Sequence, residues 1–93
     1  MSDKTYPFQP GAMLHDAIVA SFRANNASFE NWLAERGIAS ATARGATYGQ
    51  SRGPKGTALL QALIEAADPE MVRALYLRRL GQHMADLQRR GVA

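Results

Sequence analysis

Between Leu14 and Leu87 the apolar residues recur at three- and four-residue intervals, and no stretch alternates apolar with polar as a half-buried strand does. A chain patterned this way buries its apolar surface by packing helix on helix. With 93 residues it has room for one small core, and with no cysteine it has no disulfide or thiolate metal site to brace that core. The expectation is an all-α, compact four- to five-helix domain with an extended C-terminal helix.

Local signals divide the pattern. Leu14, Ile18 and Phe22 form one stripe, with Ala17 and Ser21 beside it, and the Asn25-Asn26 pair interrupts it. Ser28 is a candidate N-cap, Glu30 complements the positive end of the helix dipole, and Gly37 supplies a left-handed stop, so a second helix is predicted over 29–36. Its Phe29, Trp32 and Leu33 share a face, while Glu30, Asn31 and Glu35 turn to water. After Ile38, Ser40 is read as the cap of a third helix over 41–48, ended by Gly49. Ala43 and Ala46 let that helix pack closely across the second, leaving Ala41, Thr42, Arg44, Gly45 and Tyr48 on its open side.

The segment 49–56 reads as a loop, and Pro54 suits the first turn of a fourth helix carrying Leu59, Leu60, Leu63, Ile64 and Ala67. Asp68-Pro69-Glu70 stops that helix and starts a fifth, which runs to about Arg89. Leu77, Leu80, Met84 and Leu87 make a narrow seam along it, with Val72 and Tyr76 as a second patch nearer its start. Residues 1–9 are expected to form a flexible arm, 10–67 a binding domain, and 68–93 a C-terminal element suited to dimerisation.

Charge points to a polyanion. The chain carries 11 basic and 8 acidic residues, and none of the acidic ones falls between Glu35 and Glu65, where Arg36, Arg44, Arg52 and Lys55 lie. A short helix braced across another and flanked by such charges is a geometry for entering the DNA major groove. Ser40, Ala41, Thr42 and Arg44 are placed at or near base edges, with Gly45 letting backbone come close to the duplex. Arg44 is the strongest candidate, because a guanidinium bridges guanine O6 and N7. Tyr48, Gln50, Ser51, Arg52 and Lys55 are read as phosphate contacts.

The run Gly37-Ile-Ala-Ser-Ala-Thr-Ala-Arg-Gly-Ala-Thr-Tyr48 resembles the turn and recognition helix of the Ner-type repressors of Mu-like phages, a branch of the lambda-repressor-like helix-turn-helix proteins. In that resemblance Ser28 to Arg36 is the supporting helix, and the similar order extends through Pro54-Lys55-Gly56 to about Pro69. It implies a small all-helical protein that binds double-stranded DNA and regulates transcription. The fifth helix lies beyond it.

Other chemistry finds little footing. Gly53-Pro-Lys-Gly-Thr57 separates its lysine from its hydroxyl by Gly56 and lacks a preceding strand, so it is not a nucleotide-phosphate loop. His15 and His83 have no third ligand at metal spacing, and no catalytic set can be assembled, so no enzyme, metal or cofactor is expected. No apolar run approaches the roughly 20 residues that span a bilayer, and Met1 to Pro10 is unlike a signal peptide. The expected protein is a cytoplasmic, nucleoid-associated homodimer. A DNA-recognition module of a phage packaging complex, or a helical interaction module that docks RNA polymerase or another regulator, are the other readings.

Overall fold

The computed structural model describes residues 8–91. Within them the chain is all-α: α1 (Ala12–Ala24), α2 (Phe29–Glu35), α3 (Ser40–Thr47), α4 (Pro54–Ala67) and α5 (Pro69–Arg89). The sequence signals act locally. Ser28 Oγ accepts the Asn31 N–H, Gly37 adopts φ 68° after α2, and Asp68 Oδ1 accepts from the N–H groups of Glu70 and Met71 to open α5.

The core is one cluster. Leu14, Ala17, Ile18 and Phe22 of α1 meet Phe29 and Leu33 of α2, Ala43 of α3, Leu63, Ile64 and Ala67 of α4, and Val72 and Tyr76 of α5. Ile38, in the turn between α2 and α3, packs partly buried against it, as does Trp32. The Arg36 guanidinium lies 4.1 Å from the centre of the Trp32 ring, covering the side of the indole that the core leaves open.

Because Val72 and Tyr76 are buried in this cluster, the first half of α5 belongs to the same core as α1 to α4. The division expected between residues 67 and 68 therefore moves into α5 itself, beyond Tyr76. The first half is also tied by charge, with Arg79 Nη1 3.5 Å from Asp16 Oδ2 of α1. Of the seam expected along α5, Leu77, Leu80 and Met84 are 40%, 36% and 54% exposed, while Leu87 is half-buried. Of the arm expected over 1–9, residues 1–7 lie outside the described residues. Phe8 packs edge-on against the Tyr76 ring and the Gln9 N–H donates to the Tyr76 hydroxyl at 3.1 Å, so the chain is seated from Phe8 onward.

Candidate nucleic-acid interface

Eight residues make α3, and their spacing splits the helix into two faces. Ala43, Ala46 and Thr47 are buried against the core, whereas Ser40, Ala41, Thr42, Arg44 and Tyr48 are exposed. The small alanines bring the α3 backbone close to its neighbours. Thr47 then fixes it in place. Its carbonyl accepts the Gly11 N–H at 2.9 Å and its Oγ1 lies 2.9 Å from His15 Nδ1, so the start of α1 is bonded twice to the end of α3.

The Thr47 hydroxyl also donates to the Arg44 carbonyl at 3.3 Å. Thr47 Oγ1 thus stands between the imidazole and the Arg44 carbonyl, and the direction of its bond with His15 follows the imidazole tautomer. His15 is only 7% exposed, with its ring edge-on to Phe29 and tilted against Tyr48. Burial, and then the positive charge of Arg44, hold its pKa below the ordinary value, opposed by Asp16 and Glu30.

Three sequence expectations change here. Ser40 does not cap α3: Ala39 is the N-cap, without a side-chain hydrogen bond, and Ser40 is the first helical residue. Its hydroxyl instead donates to Glu30 Oε1 at 2.7 Å, joining the start of α3 to the first turn of α2. Correspondingly, α3 runs over Ser40–Thr47 rather than 41–48, with Tyr48 as its C-cap.

Gly45 is the third change, because it is buried rather than open. Its carbonyl accepts the N–H groups of Gln50 and Ser51 at 2.8 and 2.9 Å, and a Cβ there would stand 2.8 Å from Ser51 Oγ. The close approach that the glycine permits is that of the protein's own loop. Gly45 therefore leaves the candidate surface.

The loop after α3 is ordered by these bonds. Arg52 Nε donates to the Gly49 carbonyl at 2.8 Å, and Lys55 lies exposed in the first turn of α4. On α3 itself Arg44 stands as a ridge between two hollows. One is a shallow depression lined by Ala41, Arg44, Tyr48 and Gln50; the other is a cleft of about 300 Å³ whose lining includes His15, Arg23, Phe29, Glu30 and Arg44. Neither Arg44 nor Arg23 forms an ion pair among the described residues.

No protein-family model matches this chain, and no curated protein or solved structure matches it either. The site has to be read from its own chemistry. Among the described residues no group of three or more His, Cys, Asp and Glu side chains is placed to hold a metal ion, and no helix is long and apolar enough to cross a membrane.

Sequence reasoning put most of the exposed residues on the right faces but missed three that organise the site. Thr47 follows Ala43 by one helical turn and so shares its buried face, a signal that was present in the spacing. The tie from His15 to Thr47 and the cleft shared by Arg23 with Arg44 join residues 32 and 21 positions apart, and no local pattern reports such pairs.

Proposed function

We propose that this protein binds double-stranded DNA sequence-specifically and regulates transcription, with α3 as the helix that enters the major groove. The observation that carries the reading is the two-sidedness of α3: one face is locked into the core through Ala43, Ala46 and Thr47, and the other offers Ala41, Thr42, Arg44 and Tyr48 with no carboxylate on the helix. Arg44 suits the reading of a guanine, since it is exposed and has no ion-pair partner among the described residues.

Backbone contacts fall to the loop. Arg52 gives Nε to the Gly49 carbonyl and has its Nη donors besides, and Lys55 adds an exposed charge in the first turn of α4. Gln50, Ser51 and Tyr48 border the same edge. Ser40 takes a supporting part, holding Glu30 and with it α2 against the start of α3.

A second copy of the chain is part of this reading. Leu77, Leu80 and Met84 of the seam face solvent along α5, with Leu87 half-buried beyond them, an apolar row that its own domain leaves largely uncovered. Pairing through it would set two α3 helices on one face of a duplex, about 34 Å apart or a multiple of that.

Selection of bound fragments from a random duplex pool, followed by titration of the selected site against salt, tests the proposal. Arg44→Ala should lose about 1–3 kcal/mol of discrimination at one base pair. Arg52→Ala and Lys55→Ala should each weaken all duplexes and lower the salt slope by about 1. Wild-type protein that binds no duplex at low salt would overturn it.

A further inference from the structure

The cleft behind Arg44 is not used by a helix that only reads bases. It opens where the end of α1, the start of α2 and the flank of α3 converge, and it has about 300 Å³ of space. Two guanidiniums, from Arg23 and Arg44, border it against one carboxylate, Glu30. Neither arginine has an ion-pair partner among the described residues, while Glu30 already accepts the Ser40 hydroxyl. His15 also lines it, with Nδ1 2.9 Å from Thr47 Oγ1.

We propose that the cleft bounded by His15, Arg23 and Arg44 binds a phosphate group. Two guanidiniums bordering a recess suit the several acceptor oxygens of that anion, with the planar fork of Arg23 supplying the bidentate pairing and Arg44 adding its charge. The occupant is a DNA backbone phosphate if the reading above holds, on which this assignment of the source rests. It is a free phosphorylated molecule if it does not. On the duplex, Arg23 would grip the backbone on the opposite side of Arg44 from Arg52 and Lys55, so that α3 is clamped from both flanks.

His15 reports occupancy. Its ring is surrounded by Arg44 and Tyr48 from α3, Glu30 and Phe29 from α2, and Asp16 on its own helix, with Asp16 held by Arg79. An anion beside Arg44 offsets the guanidinium charge that disfavours the imidazolium, so a bound phosphate raises the pH at which His15 takes up its proton. His83, exposed on the second half of α5, supplies an internal control.

The test follows the imidazole proton signals of both histidines by NMR across pH 5–8, with and without inorganic phosphate at constant ionic strength, in wild type and Arg23→Gln. Alongside it, binding of the selected duplex is measured against salt for the same two proteins. Arg23 lies exposed at the end of α1, and an unchanged amide spectrum elsewhere verifies the fold of the variant. The expected result is a phosphate-dependent upward shift for His15 alone, lost in Arg23→Gln, with a duplex salt slope lower by about 1 in the variant.

The outcomes separate the two ideas. Duplex binding by wild type with an identical salt slope in Arg23→Gln, and no selective shift of His15, overturns the cleft and leaves the DNA reading standing. No duplex binding, but an Arg23-dependent His15 shift with phosphate, supports the cleft with a free phosphorylated molecule as the source. Absence of both effects overturns both.

Discussion

At the scale of single residues, His15 makes stability depend on pH. Its folded pKa lies below the ordinary 6.5, so the unfolded chain binds the proton more readily. The contribution is complete above pH 6.5 and is lost as pH falls from there through the lower folded value. Melting temperature should therefore drop between pH 7 and pH 5 by more in wild type than in His15→Gln, which keeps a polar side chain beside Thr47 and cannot charge. Parallel melting curves of the two proteins across that range would contradict this account. The same residue marks a limit of sequence reading. Its link to Thr47 depends on how α1 and α3 meet, and that is set by core residues from every helix.

At the scale of elements, two glycines show how the α3–α4 connection is built. A Cβ on Gly45 meets only the Ser51 hydroxyl, which can rotate away, and alanine gains about 1 kcal/mol of helix propensity. A Cβ on Gly56 instead runs into the Ser51 carbonyl, a backbone atom fixed by its own hydrogen-bonded turn. Urea unfolding should show Gly45→Ala within about 1 kcal/mol of wild type and Gly56→Ala less stable by about 2 kcal/mol or more. The helices themselves were largely legible: the Ser28, Gly37 and Asp68 signals each act where the sequence put them, and α5 ends at Arg89 as expected. The open side of α3 was legible for Ala41, Thr42, Arg44 and Tyr48. Gly45 and Ser40 were not, because a loop folding back and a carboxylate from another helix decided their surroundings.

At the scale of the whole molecule, α5 has two roles along one axis. Its first half completes the core with Val72 and Tyr76, and its second half carries a largely uncovered apolar row. On the proposed pairing, Leu80→Lys with Met84→Lys should leave the thermal transition within a few degrees of wild type while abolishing dimers in sedimentation at tens of micromolar. A wild-type chain that sediments as a monomer on and off DNA would remove the pairing. The placement of α1 against the first half of α5 also has a consequence for biosynthesis. A ribosome that has released only α1 to α4 has released a chain whose Leu14, Ile18 and Phe22 still lack part of their cover, because Val72 and Tyr76 remain to be delivered. The α3 surface thus depends on α5 being in place, and a chain truncated at Pro69 should be a substrate for chaperones rather than, on the proposed reading, a competitor for DNA.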